Sequence, residues 1–232
     1  MERLKELIAN TVVSALEQDY VYKKNILDLP TANCHRDLKL DTIYWRLEEI
    51  FTSDDCFIHD FKRSYWKGKI LVDSKSKSLV SITGTTNLNK VSRDKYSSSD
   101  HYMKIISNSL NTDVKPNKQL SFDPLYTDGV GIYNKEFNDI FSDIGIDLKG
   151  YTYYIVAYDY KSDKVIDIIW YLFDSDFNEV YTESLIKFIK PDIIELTNSE
   201  SETEDIDKNS ESPQPNEGIK LGLKKKKSVK NS

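Results

Sequence analysis

The chain has 232 residues, 32 basic against 38 acidic, for a formal charge of −6. That length holds one good-sized domain or at most two small ones, and an acidic balance is a poor match for broad duplex binding, whose affinity comes from neutralised phosphates. Only eight glycines argue against phosphate-cradling loops, while fifteen tyrosines favour strands.

From Thr197 onward, seven acids are matched by seven lysines, so the whole negative charge belongs to the body of the chain. Cys34 and Cys56 form no CxxC pair and have no further cysteine to complete a metal site; they are expected to be free thiols. The N-terminus lacks an apolar signal region, and no apolar run approaches the ~20 residues of a membrane span. The expectation is a soluble, cytoplasmic protein without a membrane segment.

In chain order, Leu4, Leu7, Ile8, Val12 and Leu16 share one helical face and predict an amphipathic helix over roughly Leu4–Tyr20. Its polar face mixes Glu, Lys and Asn, which favours docking on a core over membrane binding. Asp28–Cys34 reads as a loop around Pro30 and Asn33. Leu40, Ile43, Tyr44, Leu47 and Ile50 predict a second helix over Asp37–Phe51. A meander follows: a strand around Phe57–Phe61, a turn at Ser64–Gly68, a strand Lys69–Asp73, a polar loop Ser74–Ser78 and a strand Leu79–Thr83.

After Asn87 the chain turns polar, and Asp100 is the expected N-cap of a helix that ends at Leu110. Asn111–Gly131 reads as a long irregular connection, followed by a short helix around Glu136–Ile144. Tyr151–Asp174 predicts the clearest hairpin, turning at Lys161–Lys164. Tyr154, Val156 and Tyr158 fall on one face, and Tyr153, Ile155 and Ala157 on the other. Both faces are apolar, so this pair belongs inside a sheet. A short strand or turn at Asn178–Tyr181 and a final helix Glu183–Ile189 complete the body. The tail is acidic and serine-rich, then basic, and its composition predicts disorder.

The motif with the most chemistry is the basic-aromatic cluster Lys62, Arg63, Tyr65, Trp66, Lys67, Lys69. Cations beside aromatic rings can grip a nucleic-acid strand by pairing phosphates and stacking bases. Strand alternation divides the cluster: Arg63 points with His59 and Phe61, Lys62 with Asp60 and Ile58. One cation is therefore expected in a structural ion pair, and a solvated hairpin rim is the competing reading.

Asp60-Phe61-Lys62, Asp73-Ser74-Lys75 and Asp159-Tyr160-Lys161 each match the D-x-K pattern of metal-dependent nucleases. In so charged a chain, chance delivers three such matches. Asp174-Ser175-Asp176 opens like a calcium loop, but Glu179 and Leu185 occupy the positions that need Gly and Glu, so no calcium site is expected. His35, His59 and His101 form no HxxxH pattern, and His59 alone lies inside the meander. GxSxG, P-loop and GxGxxG motifs are all absent from the sequence. No catalytic residue, metal or cofactor is assigned.

Phe61-Lys62-Arg63, then Trp66-Lys67, then Ile70, Val72 and Asp73 resembles the central motif of an uncharacterised family of Gram-positive bacteria, their prophages and mobile elements. The later hairpin, Asn178-Glu179-Val180-Tyr181 and the tail segment Gly-Ile-Lys-Leu-Gly-Leu-Lys are similar too. The register after Leu79 departs from that pattern. The resemblance implies an accessory cytoplasmic role and no established activity.

Together these features predict an α+β fold: one domain over residues 1–196, with an antiparallel sheet of about five strands packed by helices, and a disordered tail over 197–232. The expected function is a non-enzymatic binding or adaptor protein of a bacterial mobile element or host-conflict system that contacts its partner through Lys62, Arg63, Trp66 and Lys67. That partner is a protein or nucleic acid, held by the basic-aromatic turn or the lysine-rich C-terminus. The alternative is a metal-dependent nuclease or toxin built on Asp159 and Lys161.

Overall fold

A computed structural model describes residues 1–27, 34–63, 66–93, 101–115 and 130–189, with backbone alone over 130–134. The expected loop over 28–33, Tyr65, Asp100, most of the connection after residue 115 and the tail over 197–232 lie outside the described residues.

The elements are α1 (Glu2–Ser14), a π-helical segment (Ala15–Tyr20), α2 (Val21–Ile26), α3 (His35–Ile50), β1 (Thr52–Ser53), β2 (Cys56–Arg63), β3 (Trp66–Asp73) and β4 (Ser78–Gly84). They continue with α4 (Thr85–Arg93), α5 (Tyr102–Leu110), α6 (Val130–Ile140), β5 (Thr152–Lys161), β6 (Lys164–Phe173), β7 (Glu179–Ser184) and a 3-10 turn (Ile186–Phe188). The strands form one sheet in sequence order, β1 to β7.

Each strand runs antiparallel to its neighbour except at the centre, where β4 and β5 are parallel, Ser78 facing Thr152 and Gly84 facing Tyr158. This corrects the expectation of an antiparallel sheet of about five strands. Two meanders, β1–β4 and β5–β7, are joined edge to edge, and a parallel join needs a long crossover. That crossover carries α4, α5 and α6.

Burial on both faces explains the apolar strands. On one face Leu71, Val80, Ile82, Val156, Tyr158, Ile168 and Trp170 pack under α1, the π-helical segment and α3. On the other, Phe61, Ile70, Val72, Leu79, Tyr153, Ile155 and Ala157 pack under α4, α5 and α6. The fold is therefore a three-layer α/β/α sandwich. The alternation expected along β5 holds, and β5 lies between β4 and β6. Burying each large apolar side chain contributes roughly 1.5–3 kcal/mol.

Local departures have local causes. β2 extends to Arg63 and β3 starts at Trp66, so Trp66, Lys67 and Gly68, expected in the turn, are strand residues. Helix α4 was hidden in a polar stretch because only Leu88 and Val91 are buried along it. The cap of α5 is the His101 side chain, which accepts from Met103 N. Helix α6 starts at Val130, six residues before the expected helix. The expected final helix Glu183–Ile189 starts as strand, with Glu183 and Ser184 paired to Trp170 and Ile169, and is helical only in the 3-10 turn Ile186–Phe188; fully buried Leu185 between them closes the core.

The rejected calcium loop has a structural occupation. Asp174 is buried, and its Oδ1 accepts from Asp176 N at 3.0 Å and from Asn178 N at 2.7 Å. The carboxylate thus holds the β6–β7 turn. Asp174→Ala is expected to cost about 2 kcal/mol by orphaning these donors, read as a lower urea midpoint. Calcium addition is expected to leave the wild-type Tm unchanged.

Candidate functional site

Because β3 reverses between them, β2 and β4 run the same way, and β5 runs with β4. Their carboxyl ends therefore open at one end of the sheet. The amino ends of α3, α4 and α5 reach the same place. Between them lies a cleft of about 950 Å³, lined by residues of both helical layers. In open α/β sheets the crevice beyond the carboxyl ends of the strands is the usual ligand position; here β4 alone runs on into a helix, while β2 and β5 turn back as hairpins.

The layer of α4–α6 supplies an aromatic wall. Trp66 lies 5.2 Å from Tyr102 with planes inclined by 31°, and Phe61 meets Trp66 edge-on at 5.6 Å. His101 stacks against Tyr102 at 4.9 Å. Tyr102 is almost fully buried, while Trp66 keeps 44% of its surface exposed. Arg63 lies beside this wall and donates to Glu136 Oε2 at 2.9 Å. This is the structural ion pair that strand alternation predicts for one of the two cations.

The α3 layer supplies the opposite wall. Lys62 is exposed there, on the same side as Asp60, which pairs with Lys69 at 2.6 Å. Lys39 sits over the Tyr160 ring at 4.9 Å and the Tyr20 ring at 5.5 Å. Burial, with the Lys24 charge nearby, lowers its pKa from the ordinary lysine value. Burial pushes the Tyr158 and Tyr160 phenols up, so both are neutral hydroxyls at physiological pH. The π-helical segment ends at Tyr20, whose hydroxyl meets His35 Nδ1 at 3.0 Å behind the cleft floor.

Lys62, Arg63 and Trp66 line one cleft although alternation sends the first two to opposite faces of β2. A space capping the end of a sheet is reached from both faces. Lys67 does not line it. Lys67 stands directly opposite Lys62 in the β2–β3 ladder, a like-charge pair that costs stability unless something anionic relieves it.

Asp159 lines the cleft and Lys161 does not. Asp73 accepts from Lys75 N and Ser76 Oγ, capping a turn. Among the described residues, no three His, Cys, Asp or Glu side chains gather closely enough to hold a metal ion. His59 is buried and donates from Nε2 to Ile140 O at 2.8 Å, so it anchors α6. The histidine at the cleft is His101.

Lys39 and Lys90 escaped the sequence reading, since each is one lysine on a helix face. Their signal was positional: Lys39 follows the start of α3, and Lys90 lies one turn into a helix that begins directly after β4.

Burial, reinforced by the charges of Arg63 and Lys104, lowers the His101 pKa to about 4 from 6.5. Between those values the unfolded chain binds a proton that the folded chain does not. Stability is therefore fully present above pH 6.5 and is lost as the pH falls toward 4. After allowance for solvent screening, the loss is on the order of 1–2 kcal/mol. His101→Asn keeps a capping acceptor, and is expected to flatten the fall in Tm between pH 7 and pH 5.

The sequence profile described as "Family of unknown function (DUF5986)" matches residues 1–232, and the chain belongs to that family. No curated protein and no solved structure matches it. Among the described residues, no helix is long and apolar enough to cross a membrane.

Proposed function

We propose that this DUF5986 member is a binding protein, an adaptor without chemistry of its own, and that the cleft at the end of its sheet is the contact surface. The observation that carries this reading is the convergence of Lys62, Arg63 and Trp66 with Lys39 and Lys90 in one cleft. Lys62 and Lys90 form no ion pair with a carboxylate among the described residues, so their charge is available to a ligand, while Lys39 stands over the Tyr160 and Tyr20 rings within the field of Asp163. Trp66 offers an exposed ring on a rigid aromatic backing, the combination that gives an interface its anchor. Lys67 adds charge at the rim. The resemblance noted in the sequence implies an accessory cytoplasmic role, in keeping with a bacterial mobile element or host-conflict system.

The test is retention of a bound partner. Tagged full-length protein, cross-linked in the cells it comes from, is compared with a Lys62→Ala, Arg63→Ala, Trp66→Ala variant of unchanged circular dichroism. The expected result is at least a tenfold loss of the retained partner. Unchanged retention makes the cluster a structural rim.

The nuclease alternative has Asp159 at the cleft, but Lys161 stands outside it. Cleavage of RNA or DNA with Mg²⁺ that Asp159→Ala abolishes would replace the binding reading.

A further inference from the structure

We infer that the ligand of this cleft is a nucleotide unit with an unpaired base, either a free nucleotide or the exposed nucleotide of a single strand. The inference rests on the binding reading above and narrows it to one ligand chemistry. Three features of the cleft, each matched to a different part of such a ligand, carry it.

Trp66 is the base platform. Its ring is 44% exposed, and Tyr102 and Phe61 fix its plane from behind. A fixed, exposed indole presents a π-face that any unpaired base can stack on, contributing about 1–3 kcal/mol. A paired base within a duplex has no free face to offer.

Lys62, Lys39 and Lys90 are the phosphate contacts. They come from β2, α3 and α4 and line the same cleft. The like-charge opposition of Lys62 and Lys67 is relieved by an anion at this corner. The first turn of α4, Thr85 and Thr86, also lines the cleft and adds backbone N–H groups of favourable polarity. Lysine side chains thus meet the phosphate without a glycine-rich loop, consistent with the scarcity of glycine.

Asp139 and Asp159 match the base edge. Both are exposed carboxylates lining the cleft, from α6 and β5. A site for simple anions would exclude them. Carboxylates are the acceptors that suit exocyclic amino groups of bases. A cleft bearing both signs fits a ligand with an anionic end and a hydrogen-bond-donating end. Its volume of about 950 Å³ falls within the range that encloses a small-molecule ligand.

Equilibrium dialysis of the full chain tests this with defined probes. They are the four nucleoside 5′-monophosphates, ribose 5-phosphate, a mixed-sequence single-stranded DNA decamer and the same decamer as a duplex. The expected result is saturable binding of a monophosphate or the single strand, with ribose 5-phosphate and duplex at least tenfold weaker. Trp66→Leu is expected to lose tenfold or more and Trp66→Phe to retain most affinity. Replacing Lys62 and Lys90 with Gln should flatten the salt dependence of strand binding by roughly 0.7 in log–log slope per lysine.

A decamer tenfold tighter than every monophosphate identifies the source as a strand; equal affinities identify a free nucleotide. Either supports the inference. Ribose 5-phosphate binding as tightly as the monophosphates overturns it, as does full binding by both Trp66 variants. If no nucleotide probe binds while the triple variant still loses its cellular partner, this inference alone fails. If retention is unchanged too, the cleft reading fails with it.

Discussion

Asn111→Ala is expected to cost about 3–5 kcal/mol, the largest effect of any single polar substitution in the described fold. Asn111 is fully buried at the end of α5. Its Nδ2 donates to Tyr153 O at 2.9 Å and Phe173 O at 2.7 Å. Its Oδ1 accepts from Tyr153 N at 2.9 Å. The β5–β6 ladder ends one pair away, at Tyr154 and Leu172, so one amide side chain completes what a further ladder pair would have done. Alanine leaves a donor and two acceptors buried without the amide that paired them. Urea denaturation should show a lower midpoint with an unchanged m value. A loss below about 1 kcal/mol would mean that α5 can move aside and admit water.

Gly68→Ala is expected to cost about 1–3 kcal/mol and to damage the cleft as well as the fold. Gly68 pairs with Phe61 across the hairpin. A Cβ there would lie 2.4 Å from Phe61 Cζ and 2.6 Å from Trp66 Cη2. The Phe61 ring has no free direction in which to retreat, because it is buried against Tyr102. The ring stack must shift, and Trp66 moves with it. Gly84→Ala is the matched control. Its Cβ would meet Tyr158 Cζ at 3.9 Å, an ordinary contact, so little change is expected although Gly84 also lines the cleft. Thermal melts and nucleotide binding of the two variants separate the effects. Equal behaviour of the two would remove the reason for glycine at position 68.

The local grammar of the chain was largely legible. Both N-terminal helices, the β2–β4 meander and the β5–β6 hairpin follow from periodicity, because each is written within a few adjacent residues. The parallel join was not. Nothing near Gly84 or Thr152 states that β4 will pair with β5, since the pairing is decided by two apolar strand edges meeting after a long crossover. β7 was read partly as helix because Glu183, Leu185 and Phe188 carry a mixed pattern, and only the ladder to β6 resolves it.

The cleft was half legible. Lys62, Arg63 and Trp66 are neighbours in sequence and could be seen together. Alternation along β2 correctly assigns Lys62 and Arg63 to opposite faces, yet both reach a space that lies beyond the sheet's end. Lys39, Lys90 and His101 come from three different helices, and only the tertiary fold brings them to that end. Asp159 was noticed for its spacing to Lys161, a partner that does not line the cleft. Its relevance comes instead from where β5 ends.

In the proposed reading, a nucleotide is recognised where β2, β4 and β5 end. Amide NMR of the ¹⁵N-labelled full chain, titrated with the single-stranded decamer, tests it most directly. Saturable shifts are expected at Lys62, Arg63, the Trp66 indole, Thr85, Thr86 and Asp159, with the far ends of the strands around Asp73 and Thr152 unmoved. Shifts confined to the lysine-rich C-terminal residues, or no shift at millimolar probe, would contradict it.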